Sequence, residues 1–238
     1  AMVDMKMDEM NKPKMSFFEV LTAMAIWKFA DAPVDVAIVE VGMGGRWDAT
    51  NVLDADAAII GPVDMDHMAW LGDTVEKIAS EKVGIIKPGC TAIIGRQPHE
   101  EEVMPIIEAA AKENHANLVR DGIESEVVTR VPAVGGQVAT LRTPNGTYTE
   151  VPIDKFGEHQ AHNALAALCA AEVVIPVNGA LDGDLVAEAL SSVRIPGRIE
   201  QIRTSPTIIL DGGHNVNAAE SLRAAIEENY DFQQLVGV

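Results

Sequence analysis

The residues best suited to chemistry come in four short clusters. VEVGMGGRWDATN at 39–51 sets Glu40 beside Gly42, Gly44 and Gly45. A carboxylate at the C-terminal end of a strand, next to glycines that let backbone approach a ligand closely, is where an open α/β sheet binds its substrate. Glu40 is therefore a candidate magnesium ligand. The alternative is that the glycines only make a tight turn and Glu40 only caps a neighbouring helix, since the spacing matches neither the dinucleotide fingerprint nor the Walker A pattern. DMDHMAWLGDT at 64–74 adds carboxylates and His67. Magnesium prefers oxygen donors, so a structural role for that imidazole stays open beside a metal-binding one. Lys77 and Lys82 follow on a helix, where lysines are ordinarily solvated. GEHQAHNA at 157–164 opens a helix with polar groups that can bond a nucleotide near the positive end of the dipole, or that simply cap the helix through His159 or Gln160. PGRIE at 196–200 is followed by Asp211 in LDGGHN, where an arginine suits phosphate and a carboxylate suits ribose hydroxyls.

These clusters need elements to hold them. VDVAIVE at 34–40 is rich in β-branched residues and reads as a buried parallel strand that delivers Glu40. AAIIG at 57–61 and TAIIG at 91–95 repeat the pattern, with His67 on the loop after the first of them. Asp73 and Glu76 have capping-box spacing for a helix running to about Val83, with Gly84 near its end. Residues 16–29 predict a helix with little exposed face, and 100–115, the stretch with Gln160, Asn163 and the alanine-rich run 164–172, 184–193 and 216–228 predict four more. The Val/Thr alternation of 123–153, with turn signals at Gly135-Gly136 and Asn145-Gly146, predicts antiparallel hairpins. The first fifteen residues have no sustained period and are expected to form a loop or the broken start of an element. TIILDGG at 207–213 predicts a strand, and QLVGV at the end reads as the start of another.

The chain has 238 residues, 47% hydrophobic and 23% charged, with a net charge of −18. That is a globular composition with enough length for a sizeable core. Such an acidic balance argues against nucleic acid and anionic membranes as partners, because both are bound chiefly through lysine and arginine. No apolar run approaches the roughly 20 residues that cross a bilayer. The two cysteines, Cys90 and Cys169, follow no CxxC pattern and read as buried thiols in a reducing compartment. A cytoplasmic protein is expected.

The clusters gain meaning from their order. SFFEVLTAMAIWKFA, VEVGMGGRWDATN, DHMAWLG, EKVGIIKPG, GEHQAHNALAA, PGRIE and LDGGHN together resemble, from about residue 15 onward, the folylpolyglutamate synthase and dihydrofolate synthase family within the Mur ligase superfamily. The resemblance implies an α/β fold: a central ATPase domain over 1–200 with a mostly parallel sheet and a β-hairpin appendage, then the start of a Rossmann-like, glutamate-binding domain over 201–238. It implies an ATP- and Mg2+-dependent ligase that joins a pteroate or folate carboxylate to L-glutamate through an acyl phosphate. Glu40 and His67 match the family's magnesium-associated positions, and Lys82 matches a lysine that carries a carbamate and so becomes an oxygen ligand. Asn163, Arg198 and Asp211 match nucleotide-contacting positions. Ser16, Phe18, Glu19 and Ala49 are similar to positions lining the pterin pocket, and His214 lies in the motif near the glutamate and phosphate region. Dihydropteroate or a reduced folate, L-glutamate and ATP are the implied small-molecule partners, and a monomer is the implied state. A Mur-type peptidoglycan ligase shares the ATP chemistry, but the SFFEVLTAMAIWKFA and GMGGRWDATN segments favour the folate branch.

Two departures stand out. No G-x-x-x-x-G-K-[ST] or shorter GK[ST] occurs, so the family's phosphate loop is expected to lie before residue 1, and most of the glutamate-binding domain beyond the last residue. The 238 residues alone are accordingly expected to show no ligase turnover. Gly213 and Val216 stand where the family more usually has alanine and proline, leaving Asp211 and His214 in place.

Overall fold

A computed structural model describes residues 2–238. Three parallel strands form the sheet that carries the site: β1 (Ala57–Ile60), β2 (Thr91–Ile94) and β3 (Asn117–Arg120), in the order β1-β2-β3, with Ile60 opposite Ile94 and Ile94 opposite Arg120. Successive side chains of a strand point to opposite faces, so this sheet feeds two cores. Ile60, Ala92 and Ile94 pack with Ile78 and Ile107, which come from α4 (Val75–Lys82) and α5 (Glu100–Glu113). On the other face Ile93 and Val119 meet Leu165 and Leu168 of α6 (Glu158–Val174). A second sheet of antiparallel strands, β4 (Glu126–Ala133), β5 (Gly136–Arg142) and β6 (Thr147–Ile153), covers the far side of α6 through Leu141, Val151 and Ile153. The alanine-rich face of α6, with Ala161 and Ala164 buried, lets a helix fit between two sheets. Tyr148 fastens this layer: its hydroxyl donates to Glu172 at 2.7 Å and accepts from the Leu181 amide. Burial and that carboxylate push its pKa up to about 12.

The last part of the chain contains α7 (Gly183–Ser192), an antiparallel pair β7 (Glu200–Thr204) and β8 (Thr207–Leu210), and α8 (Val216–Asn229). Arg130 of β4 holds the end of α8 by a two-pronged bond to Glu228, at 2.9 and 2.5 Å. The α/β class, the two parallel strands read from AAIIG and TAIIG, and the hairpins of 123–153 agree with the sequence reading, which had not separated β3.

Several local expectations are corrected. Met2–Glu9 is a helix, α1, where a loop or the broken start of an element was expected; Ala1 lies outside the described residues. The helix of 16–29 forms as α2 (Phe17–Asp31), but none of its residues is buried: Phe17 is 80% and Trp27 66% exposed. An apolar stripe buries only against a matching surface, and α2 packs mainly on the short 3-10 turn Ala49–Val52. VDVAIVE forms no strand, and Ile38 is 93% exposed. β-branched composition favours extended backbone, yet a strand exists only where a neighbour completes its ladder. α4 is capped by Thr74, not Asp73, whose carboxylate instead takes Lys77 at 2.6 Å. The strand expected in 207–213 does form, as β8, paired antiparallel with β7, whereas 234–238 is irregular where the start of a further strand was expected.

Replacing Leu165, sealed between the two sheets, by alanine is expected to cost about 3 kcal/mol. Phe17→Ala is expected to cost less than about 0.5 kcal/mol. Denaturant unfolding of the two variants checks the contrast between buried α6 and uncovered α2.

Candidate active site at the C-terminal edge of the parallel sheet

Because β1, β2 and β3 run parallel, the loops that follow them emerge on one edge. β1 leads into Asp64, Asp66 and His67, β2 into Arg96, Gln97 and His99, and β3 into Asp121. Gln97 stitches the first two loops, accepting from the Val63 amide and donating to the carbonyls of Gly61 and Gly95. Asp64 and His99 add a 3.1 Å contact. The first turns of α6 close the same edge: His162 lies 2.5 Å from Asp121, and Glu158 lies 3.5 Å from Arg96. Five of the six histidines, at 67, 99, 159, 162 and 214, gather along this edge.

Lys82 is held by the glycine loop. A methyl group on Gly45 would sit 2.6 Å from the Glu81 carbonyl and 2.9 Å from that of Lys82, and one on Gly84 would sit 2.5 Å from Cα of Arg46. Backbone 44–46 and backbone 81–84 therefore touch, joined by Arg46 N–H to the Glu81 carbonyl at 2.8 Å. Asn51 bridges the same two stretches, donating to the carbonyls of Arg46 and Gly84. Asp48 closes the glycine turn by accepting from Met43 and Thr50 amides. Lys82, at the end of α4, is partly buried, and that burial holds its ammonium below the ordinary lysine range against the opposing pull of Asp66.

His67, just before the one-turn helix α3 (Met68–Leu71), has a left-handed backbone, φ 49° and ψ 34°, which is costly for a non-glycine residue and marks a turn set by its surroundings. Asp66 links it to the end of the chain. Its Oδ1 accepts from the His67 amide at 2.8 Å, and its Oδ2 accepts from the Asn215 side chain at 3.1 Å and lies 3.7 Å from Nε2 of His214. Burial would raise the Asp66 carboxyl, but the bonds from Asn215 and His67 and the charge of the imidazoles outweigh it and hold the group below the usual carboxylate range. Asp66, His67 and His214 each bring one ligand atom within 4.8 Å of the others. Glu40 stands outside this group with its side chain exposed, at the end of a segment that no strand ladder anchors.

The other expected residues fall into two further places. Asp211 accepts from the Ile199 and Gly213 amides at 2.9 and 2.7 Å, which folds the Arg198 turn against the DGGHN loop, and Gly212 bonds the Gly197 carbonyl. Burial holds His159 below the ordinary histidine range, and the charges of Asp211 and Arg198 both reach it, so this turn faces the start of α6 where exposed Asn163 bonds Gln160. Near α2, the Phe18 ring covers Gly42, and Ala49 starts the turn on which α2 rests. Ser16 and Glu19 there bond each other as a capping box, which accounts for both residue types. Sequence reasoning missed Asp66, Asn215 and the Asp121–His162 pair. Asp66 adjoins His67 within the DMDH run, but nothing local signals that residues so far along the chain return to it.

This arrangement defines an α/β domain with its polar site on the C-terminal edge of a parallel sheet, as in doubly wound nucleotide-binding folds. The chain belongs to the Mur ligase family, matching the Mur ligase middle domain over residues 5–171. It is 46% identical over 234 residues to the dihydrofolate synthase/folylpolyglutamate synthase of Mycobacterium tuberculosis, a match covering 95% of this chain and 48% of that protein. To the protein of the same name from Escherichia coli it is 36% identical, covering 87% of this chain and 46% of that one. Crystal structures of the Mycobacterium tuberculosis folylpolyglutamate synthase complexed with ADP and AMPPCP superpose with a TM-score of 0.88 at 45% identity, covering 94% of this chain and 51% of that chain. The chain thus spans about half the length of the relatives it matches. Among the described residues, no helix is long and apolar enough to cross a membrane.

Gly45→Ala and Gly84→Ala are each expected to cost about 1–3 kcal/mol, because the added methyl meets backbone rather than a movable side chain. Gly61→Ala, with nothing within 4 Å, is expected to stay within about 0.5 kcal/mol. Thermal unfolding of the three variants measures the difference.

Proposed function

We propose that this chain carries the central part of an ATP-dependent ligase that joins the carboxylate of a pteroate or folate to the amine of L-glutamate. The observation that carries the reading is the meeting, on one sheet edge, of the Arg198–Asp211 turn and the start of α6 on one side with Asp66, His67 and Lys82 on the other. It is supported by relatives named dihydrofolate synthase/folylpolyglutamate synthase and by the neighbouring structures with ADP and AMPPCP.

In this reading Arg198 meets the nucleotide's phosphates, Asp211 its ribose hydroxyls, and Asn163 its base or sugar from the exposed face of α6. A carboxylate oxygen of the acceptor attacks the γ-phosphorus and ADP leaves. The glutamate amine then attacks the acyl carbon, phosphate departs with the electrons of the broken C–O bond, and the nitrogen gives up its proton. Phe18 over Gly42 offers an aromatic face for the pterin, and Ser16, Glu19 and Ala49 lie at the same end of α2, with a carboxylate suited to the pterin's N–H donors. His214 sits toward the glutamate and phosphate side.

Glu40, His67 and Lys82 would hold Mg2+, which neutralises charge on the transferring phosphoryl group when bound. The donor chemistry fits: Glu40 offers an exposed carboxylate, and the lowered pKa of Lys82 leaves more of its amine neutral to react. That amine takes up CO2 and releases a proton, becoming an anionic oxygen ligand. The chain is divided near residue 200, with 201–238 opening the glutamate-binding domain. A monomer in the cytoplasm completes the proposal.

Glutamate-dependent ADP release, with dihydropteroate or a reduced folate as acceptor, tests the reading on the longest native chain that carries this sequence. Turnover that needs all three substrates is expected, and ADP release indifferent to any pterin acceptor would overturn it. Lys82→Ala is expected to abolish turnover while ATP still binds. After incubation with 13C-bicarbonate, a carbamate carbon resonance is expected in the unmodified protein and not in Lys82→Ala; its persistence would sink the carbamate role.

A further inference from the structure

Asp66 has a different task on each of its carboxylate oxygens, and the two tasks lie on opposite sides of the site. Oδ1 accepts from the His67 amide at 2.8 Å, at the residue whose left-handed backbone sets the turn after β1. Oδ2 accepts from Nδ2 of Asn215 at 3.1 Å, across 149 positions of sequence. Asn215 is committed at its other atom as well: its Oδ1 accepts from the Ala218 amide at 2.9 Å and so caps α8. One side-chain amide therefore joins the start of α8 to the loop that carries His67, with its nitrogen on the carboxylate and its oxygen on the helix.

The reach of this bond extends to the Arg198 turn. Asn215 directly follows the DGGH loop, which is bound to that turn by Asp211 on the Ile199 amide and by the Gly212 amide on the Gly197 carbonyl. Among the described residues, two hydrogen-bonded side-chain contacts tie α8 and its cap to elements before α7: Asp66 to Asn215 at its start, and Arg130 to Glu228 at its end. The first lies at the site, and the second lies away on β4. His214, with Nε2 3.7 Å from Oδ2 of Asp66, adds an electrostatic contact but no hydrogen bond to it.

We propose that Asp66 is a positioning residue for the ligase reaction, setting the Arg198–Asp211 turn at its working distance from the His67 loop through Asn215. The inference rests on the ligase reading and deepens it, since Asp66 acts through Asn215 and His67 rather than on the reacting atoms. The turn keeps its own hydrogen bonds when this contact is lost, so the nucleotide still binds and alignment suffers. A misplacement of about 1 Å at a reacting centre costs on the order of 100-fold in rate.

Polarity supplies the test. Asp66→Asn leaves one acceptor where two are needed, so whichever way either amide turns, two N–H donors face each other at His67, at position 215 or at Ala218. The double variant Asp66→Asn/Asn215→Asp restores every partner: the new amide accepts from His67 and donates to the new carboxylate, which still caps α8. On the longest native chain that carries this sequence, Asp66→Asn and Asn215→Ala are each expected to lower kcat about 10- to 100-fold with KM for ATP little changed. Amide hydrogen exchange over 211–220 is expected to quicken in both. The double variant is expected to recover kcat and slow exchange together, which also excludes misfolding as the cause of the loss. Full kcat or unchanged exchange in Asp66→Asn would overturn the inference. So would a double variant no better than Asp66→Asn, because the carboxylate would then be needed at position 66 itself. If the unmodified chain shows no glutamate-dependent turnover, the ligase reading fails by that result alone, and a positioning role in this reaction falls with it; exchange over 211–220 still reports separately whether Asp66 holds the start of α8.

Discussion

Two stretches of backbone, 44–46 and 81–84, lie in direct contact with no room for a Cβ between them. Such contact is possible only because Gly45 and Gly84 present hydrogen where any other residue presents carbon. The consequence reaches well beyond the turn. Lys82 sits inside this contact, so its position follows from the glycine loop rather than from α4 alone. Its partial burial there is what lowers its pKa. Asn51 and the Arg46 amide then add the hydrogen bonds that keep two irregular segments in register where no strand ladder does.

The parallel sheet supplies the second level of order. Parallel strands send all their following loops to one edge, which is why Asp66, His99 and Asp121 share it although they are far apart in sequence. α6 sits between the two sheets and delivers its polar first turns to that same edge, and the Arg130–Glu228 pair and the Asp66–Asn215 bond hold α8 against it. The residue types of the four clusters thus converge through topology, with Asp66 as the point where the β1 loop and the C-terminal segment meet.

α2 and the segment after it obey local rules without the tertiary ones. The capping box of Ser16 and Glu19 and a run of helix-forming residues suffice to form α2. They do not bury it, because the described elements offer it little more than the 49–52 turn. VDVAIVE is extended but unladdered for the same reason.

How much could be read from the sequence follows this division between local and long-range causes. Helix caps, the TAIIG and AAIIG strands, the hairpin turns and the order of the seven motifs depend on residues within a few positions of each other, and together they determined the fold class and the family. The residue types at Glu40, His67, Lys82, Asn163, Arg198 and Asp211 were equally legible. What no local pattern carries is which side chains meet. The choice of Thr74 over Asp73 as a cap, the exposure of Phe17 and Ile38, the antiparallel pairing of β8 and the return of Asn215 and His214 to Asp66 were decided by the tertiary structure alone. Burial, strand pairing and long-range hydrogen bonds each need a partner from elsewhere in the chain, and only the folded topology says which partner arrives.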